Sequence, residues 1–85
     1  MKIYYSKEAK KDLNRLREVN LDTQVKALLQ LLKENPFQNP PRYESLVGDF
    51  KGLYSRKINF RHRLVYMVSE KEGKVYILRM WNHRV

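Results

Sequence analysis

The prolines of this chain lie close together and divide it into two parts of different periodicity. All three fall within residues 36–50, which we predict to be a fixed loop, because proline locks one backbone angle and cannot continue a helix or a central strand. From residue 7 up to this segment, apolar residues recur at helical spacing, whereas after it they alternate as in strands. The chain is therefore predicted to have a helical part followed by a sheet part.

Two amphipathic helices are predicted before the prolines. Ser6 is the predicted N-cap of the first helix, over about 7–19, and Asp22 that of the second. The second helix should end at Asn35-Pro36, since the residue before a proline avoids helical geometry. The apolar positions of the two helices are Ala9, Leu13, Leu16, Val25, Leu28, Leu29 and Leu32. Very few residues join the helices, so we expect an antiparallel helix pair.

Short apolar runs on either side of the helices predict strands. The predicted strands are residues 1–5, 52–58, 63–68 and 75–81. Turns at 59–62 and 70–73 should join the last three as an antiparallel meander. The order of strand, two helices and three strands predicts one α+β domain over residues 1–85, with the helices on one face of the sheet and the other face free.

Composition excludes several kinds of chemistry. The chain has 85 residues and no cysteine, so it has no disulfide, no thiolate zinc site and no cysteine nucleophile. Its two histidines lack further ligands at a metal-site spacing, and the glycine motifs of phosphate and dinucleotide sites are absent, so we expect no metal and no cofactor. No apolar run approaches membrane-spanning length and no secretion signal opens the chain, so we expect a soluble cytoplasmic protein.

The charge is strongly positive and concentrated in one stretch. Lys and Arg number 18 against 9 Asp and Glu, a net charge of +9. Between Lys51 and Arg63 the chain carries basic residues, no acidic residue, and the rings of Tyr54 and Phe60, which suits single-stranded RNA. The predicted RNA contacts here are Lys51, Tyr54, Arg56, Lys57 and Arg61. A solvated basic surface is the alternative, and Trp81 could either stack on a base or pack in the core.

Three residues could support cleavage of RNA without a metal or a protein nucleophile. The 2′-hydroxyl of RNA can attack the adjacent phosphodiester if a base takes its proton, a cation stabilises the phosphate and an acid protonates the leaving oxygen. Glu44 in the proline-rich loop, Arg63 at the start of a strand and His83 after the last strand could supply these functions. On the residues alone, a solvated glutamate and an idle terminal histidine remain the alternative.

Short strings spread over nearly the whole chain carry a resemblance to a known family. They are KIYYS (2–6), NPF (35–37), YESL (43–46), GLYSRKI (52–58), HRLVY (62–66) and WNH (81–83). In this combination they resemble the Txe/YoeB family of RelE-like bacterial toxins. The resemblance implies a RelE-like microbial RNase fold and a ribosome-dependent mRNA endoribonuclease, which cuts messenger RNA in the ribosomal A site.

The resemblance also assigns roles to individual residues. It implies Glu44 as the general base, Arg63 at the scissile phosphate and His83 as the general acid. Lys57 stands where family members commonly have arginine. It keeps the positive charge but cannot make the bidentate hydrogen bonds of a guanidinium. Arg84 stands where they often have tyrosine, and we predict that it contacts a phosphate instead.

The expected partners follow from the same resemblance. The family's toxins are held inactive by a cognate acidic antitoxin, and the toxin–antitoxin complex commonly binds its own operator DNA. A homodimer is possible, and we expect no membrane partner. Two other functions remain open: a non-nucleolytic toxin of the same fold that binds DNA gyrase, and a non-catalytic RNA- or ribosome-binding module.

Overall fold

Two helices pack against one face of a five-stranded sheet in the computed structural model, which describes residues 1–81. The elements are β1 (Lys2–Tyr5), α1 (Lys7–Glu18), α2 (Asp22–Glu34), β2 (Tyr43–Ser45), β3 (Leu53–Lys57), β4 (Arg63–Ser69) and β5 (Lys74–Arg79). The sheet order is β1-β5-β4-β3-β2, with β1 parallel to β5 and the other pairs antiparallel. The predicted α+β class, helix pair and meander are confirmed. Within residues 1–81 neither helix has the length and apolar content needed to cross a bilayer.

The two helix starts differ from each other. Ser6 caps α1 as predicted, because its Oγ accepts a hydrogen bond from the Ala9 N–H at 2.9 Å. The prediction that Asp22 caps α2 is wrong, since the N-cap is Leu21 and makes no side-chain cap bond. The chain reverses at Asn20, which has a φ of 61°, and the Leu21 N–H closes the end of α1 by donating to a carbonyl of that helix at 2.9 Å. This tight reversal makes Asp22 the first residue of α2 rather than its cap.

The core lies between the helices and one face of the sheet. Its fully buried members are Ala9, Leu16, Val25, Leu32, Leu64, Tyr66, Val75, Ile77 and Met80. The predicted helix positions Leu13, Leu28 and Leu29 pack against this core but stay partly exposed. Burying each large apolar side chain stabilises the fold by about 1.5–3 kcal/mol, so the paired helix faces hold the layers together.

A buried carboxylate ties α1 to the end of β5. Asp12 has 3% of its surface exposed, and its Oδ2 accepts hydrogen bonds from the Arg79 Nε at 3.0 Å and from the Met80 N–H at 2.9 Å. A buried carboxylate is stable only when it is paired and hydrogen-bonded, and this one meets both conditions. The bond to Met80 fixes the backbone where the chain leaves the sheet.

The segment 36–50 is more structured than predicted. It contains β2, which pairs with β3, and a single 3-10 turn over Gly48–Phe50. A strand of three residues is too short to show alternation in the sequence, and β2 forms because β3 offers it an open edge. This pairing places Glu44 on a sheet strand instead of in a loop.

Candidate active site

Glu44 and Arg63 meet on the face of the sheet that the helices leave open. Glu44 lies opposite Ser55 in the register of β2 and β3, and Arg63 lies opposite Lys57 in that of β3 and β4. Successive strand residues point to alternate faces, so these four side chains share one face. Arg63 Nη1 lies 3.7 Å from Glu44 Oε1. The structure thus brings together two of the three residues predicted to be catalytic.

These residues surround a small polar pocket. Its cavity volume is about 230 Å³, and its lining residues are Pro41, Arg42, Glu44, Ser55, Lys57 and Arg63. Three cations face one carboxylate, so the pocket carries a net positive charge that attracts anions such as phosphate. Sequence reasoning missed Arg42, although this basic residue directly precedes the YESL string.

The ion pair in this pocket is weak and can be rearranged. The side chains of Arg63 and Glu44 are 31% and 43% exposed, and 3.7 Å is too long for a hydrogen bond between them. Exposed pairs of this kind contribute between about 0 and 1 kcal/mol. Arg63 can therefore leave Glu44 for another anion at little cost to stability.

Ser55 lies beneath the same pair with an unused hydroxyl. The residue is 1% exposed, and its Oγ has no hydrogen-bond partner among the described residues. A buried hydroxyl without a partner costs free energy, and here it sits directly across from Glu44. Its O–H is available as a donor to groups that enter or rearrange in the pocket.

Arg56 lies on the opposite face and is fully buried at 1% exposure. Its Nε donates to the Tyr66 hydroxyl at 3.1 Å and its Nη1 to the Pro41 carbonyl at 2.7 Å. Its Nη2 donates to the carbonyls of Pro36 at 3.0 Å and Gln38 at 2.8 Å. The prediction that Arg56 contacts RNA is therefore wrong, because every nitrogen of its guanidinium is used inside the protein. The side chain holds the proline-rich loop that leads into β2.

Tyr54 also faces away from the pocket. Its ring packs in an aromatic cluster with Phe37, Tyr43 and Tyr66, at centroid distances of 5.3, 5.9 and 5.7 Å. Tyr54 is half-buried on the face opposite Lys57, and its stacking on RNA bases stays a prediction. Burial raises the pKa of the Tyr66 hydroxyl, with the hydrogen bond from Arg56 acting in the opposite direction. Tyr66 therefore stays neutral and able to donate to the loop carbonyl of Pro36 at 3.0 Å.

Trp81, the last described residue, packs against the side chains of His62 and Arg15. Its ring centroid lies 4.2 Å from that of His62, and the Arg15 Cζ lies 4.0 Å from the ring. Trp81 is partly buried against the core, so the structure favours core packing over base stacking. Burial lowers the pKa of His62, and the charges of Arg61 and Arg15 lower it further. His62 is thus a neutral, buried residue that directly precedes β4.

The other predicted site residues are either exposed or outside the part of the chain that the structure describes. Lys51, Lys57 and Arg61 are exposed, and Lys57 alone of these lines the pocket. His83 and Arg84 lie outside the described residues. Within residues 1–81, no group of three or more His, Cys, Asp or Glu side chains is arranged to hold a metal ion.

The fold, a helix pair on a five-stranded sheet, is that of the small RelE-like toxins. A family model described as a YoeB-like toxin of bacterial type II toxin-antitoxin systems matches residues 4–84. The chain therefore belongs to the family of YoeB-like toxins.

Individual relatives agree with this assignment. The curated Toxin YoeB of Synechocystis sp. is 31% identical over 61 residues, which are 72% of this chain and 64% of the relative's length. A YoeB/ParE toxin from Agrobacterium tumefaciens superimposes with a TM-score of 0.89 at 26% identity, over 99% of this chain and all of the other. The toxin in a YoeB-YefM complex from Staphylococcus aureus does so with a TM-score of 0.83 at 28% identity, over 99% and 98% of the two chains.

Proposed function

We propose that this toxin is an mRNA endoribonuclease that acts on the ribosome by 2′-hydroxyl attack, without a metal. The observation that carries the proposal is the pocket on the open face, where Glu44 and Arg63 lie 3.7 Å apart beside Lys57. A base next to two cations at an exposed pocket supplies two of the three functions that such cleavage needs.

The reaction is a single displacement at phosphorus. Glu44 accepts the proton of the 2′-hydroxyl while the 2′-oxygen bonds to phosphorus, and Arg63 and Lys57 hold the non-bridging oxygens. The bond from phosphorus to the 5′-oxygen breaks, and His83 gives that oxygen a proton. The products are a 2′,3′-cyclic phosphate and a 5′-hydroxyl.

Arg63 must change partners during this reaction. In the free protein it faces Glu44, whereas in the reaction it faces the phosphate. Ser55 compensates for the change, because its unused hydroxyl can donate to the Glu44 carboxylate when Arg63 turns away. The buried serine thereby keeps the base oriented toward the 2′-hydroxyl.

The partners follow from the family and from the charge. The S. aureus relative was solved with YefM, and we propose a cognate acidic antitoxin for this chain, whose net charge is +9. Opposite charge speeds such an association. The ribosome would orient the message over this open-face pocket, and operator DNA would bind to the toxin–antitoxin complex. Self-association into a homodimer belongs to the same proposal.

The test compares RNA ends in growing cells that express wild type, Glu44→Gln or His83→Ala, with Glu72→Gln as the matched control on an exposed turn. Primer extension should show cuts within translated messages for wild type and Glu72→Gln. These cuts should disappear in the two site variants and when translation is blocked.

Two outcomes would contradict the proposal. Growth arrest without cuts, in wild type and site variants alike, would indicate a non-nucleolytic toxin such as a gyrase binder. Normal cleavage of a message with a deoxy sugar at the cut site would exclude attack by the 2′-hydroxyl.

A further inference from the structure

The ring of Trp81 is held by side chains from two other parts of the chain. Its centroid lies 4.2 Å from that of the His62 ring, and the two planes make an angle of 31°. The Arg15 Cζ lies 4.0 Å from the centroid, a distance at which a guanidinium is attracted to an indole ring. His62 has only 4% of its surface exposed, so protein encloses it on nearly all sides. Trp81 therefore packs against two side chains whose positions the fold defines.

Helix α1 also holds the backbone directly before this ring. Asp12 and Arg15 are three positions apart, so they lie on one face of α1. Asp12 Oδ2 accepts a hydrogen bond from the Met80 N–H at 2.9 Å, and Arg15 contacts the ring of the next residue, Trp81. The direction in which the chain leaves the sheet is therefore set by α1 as well as by β5.

This end of the described chain lies close to the candidate active site. β4 and β5 are antiparallel and Val65 pairs with Arg79, so the residues after Arg79 run toward the start of β4. Arg63 lines the pocket and is the first residue of β4, and His62 directly precedes it. The contact with His62 therefore brings Trp81 next to the residue that precedes Arg63.

We propose that Trp81 is a positioning residue, which places His83 beside Arg63 so that His83 can protonate the leaving oxygen. Two residues of chain span at most about 7 Å, so the position of Trp81 limits where His83 can lie. Arg15 acts in the same way through Trp81, although it stands on a helix outside the pocket. The role of His83 rests on the proposed function, whereas the anchoring of Trp81 is argued from its own contacts.

Direct contact with RNA is the other role that this ring could have. An aromatic side chain that stacks on a base must offer its ring surface to that base. Trp81 is partly buried against the core, and a base would compete with both Arg15 and His62 for the ring. The contacts therefore favour positioning over base stacking.

A sulfur atom in place of the 5′-oxygen at the cut site separates these roles. The normal 5′-oxygen needs a proton to leave, whereas sulfur leaves as a thiolate without one, because thiols are much stronger acids than alcohols. The bond from phosphorus to sulfur breaks as the 2′-oxygen bonds to phosphorus, and Glu44 still takes the 2′ proton. A defect that acts only through the acid should therefore disappear with the sulfur message.

The experiment measures single-turnover cleavage of the normal and the sulfur message by the full chain on programmed ribosomes. Trp81→Ala should cut the normal message at least about tenfold more slowly than wild type, since a misplaced catalytic group loses much of its effect. It should cut the sulfur message at close to the wild-type rate. His83→Ala should show the same pattern, and Arg63→Met should be slow with both messages. Trp81→Phe keeps an aromatic ring and should retain most of the activity.

Two controls match these variants in packing and in charge. Leu29→Ala shortens a side chain that packs on the core from α2, outside the pocket, and should leave both rates unchanged. Arg15→Met should slow the normal message and spare the sulfur message. Arg17→Met removes the same charge from another exposed position of α1 and should change neither rate. Circular dichroism verifies the fold of each variant, and if Trp81→Ala is unfolded, Arg15→Met decides the same question.

Two kinetic results would overturn the proposal. Equal slowing of both messages by Trp81→Ala, with Leu29→Ala unaffected, would show that Trp81 does not act through the acid. Weaker apparent affinity for the programmed ribosome at an unchanged maximal rate would show that Trp81 contacts RNA directly.

An NMR measurement on the free chain tests the same placement without any cleavage step. A nuclear Overhauser effect between the His83 ring and the Arg63 side chain is expected in wild type and in Trp81→Phe, and its loss is expected in Trp81→Ala. Its absence from wild type, or its persistence in Trp81→Ala, would overturn the proposal. A wild-type chain that cuts neither message would refute the nuclease proposal alone, so the two failures are separate results.

Discussion

Arg56 and Arg63 stand on neighbouring strands and have opposite environments. Arg56 is 1% exposed and makes four hydrogen bonds, three of them to loop carbonyls. The side chain of Arg63 is 31% exposed, and it faces the carboxylate of Glu44 at 3.7 Å. Arg56 holds the proline-rich loop from the buried face of the sheet, and Arg63 presents its charge to solvent on the open face.

The difference separates stability from the proposed activity. Burial of a guanidinium has a large desolvation cost, which only well-placed acceptors offset. Arg56 therefore cannot change partners unless the proline-rich loop unfolds. A half-exposed guanidinium in a loose ion pair loses little when it exchanges that partner for a phosphate. The helix face of the sheet should therefore carry stability, and the open face should carry chemistry.

The largest effect is expected from removing the positive charge of Arg63 on the open face. Arg63→Met should lower ribosome-dependent cleavage by about 10²–10³-fold, because the charge that develops on the phosphate loses its stabilising cation. The free energy of unfolding should change by less than about 1 kcal/mol. Arg17→Met, on the exposed face of α1, is the matched control for both measurements. Full activity in Arg63→Met would refute the assignment of chemistry to this face.

The next largest effect is expected from Arg56, whose hydrogen bonds hold the proline-rich loop. Arg56→Met keeps the apolar length of the side chain but removes the donors of the Gln38 and Pro41 carbonyls and one of the two donors of the Pro36 carbonyl, so the free energy of unfolding should fall by about 3 kcal/mol. Urea denaturation measures this, with exposed Lys51→Met as the control. A loss below about 1 kcal/mol would mean that water satisfies these carbonyls and that Arg56 does not hold the loop.

The smallest effect is expected from protonation of His62, which should make the free energy of unfolding depend on pH. Burial and the charges of Arg61 and Arg15 lower the pKa of His62 from its ordinary 6.5, so the unfolded chain binds this proton more readily than the folded chain. The neutral ring therefore contributes its full stability above pH 6.5, and this contribution is lost as the pH falls from there through the lowered pKa.

The comparison is between wild type and His62→Phe, which keeps an aromatic ring beside Trp81 but does not titrate. Thermal melts from about pH 7.5 down to about pH 5 should show wild type losing more stability than the variant. Parallel curves would show that protonation of His62 is not coupled to folding.

The order of elements could be predicted from the chain because its causes are local. Ser6 caps α1, and the apolar positions of both helices repeat at helical spacing. Capping and periodicity each depend on residues only a few positions apart. The short β2 and the Leu21 cap could not be predicted in this way. The first depends on the open edge of β3 and the second on how the end of α1 closes.

The candidate site shows the same division. Glu44 and Arg63 were predicted by their strings, and Lys57 by its place in the basic stretch. The basic stretch also suggested Arg56 and Tyr54 as RNA contacts, although alternation assigns them to the face opposite Lys57. What the stretch cannot reveal is which face the helices cover.

The sequence alone determined the α+β class, the two helix faces, the positive charge and the residues whose chemistry suits RNA cleavage. Only the tertiary structure decided that Arg56 holds loop carbonyls, that Glu44 stands on a strand beside Arg63, and that Trp81 packs against His62 next to the candidate site. The physical reason is the sequence separation over which each interaction acts. Periodicity and capping act between neighbours along the chain, whereas strand register and the choice of buried face come from pairing between segments far apart in sequence.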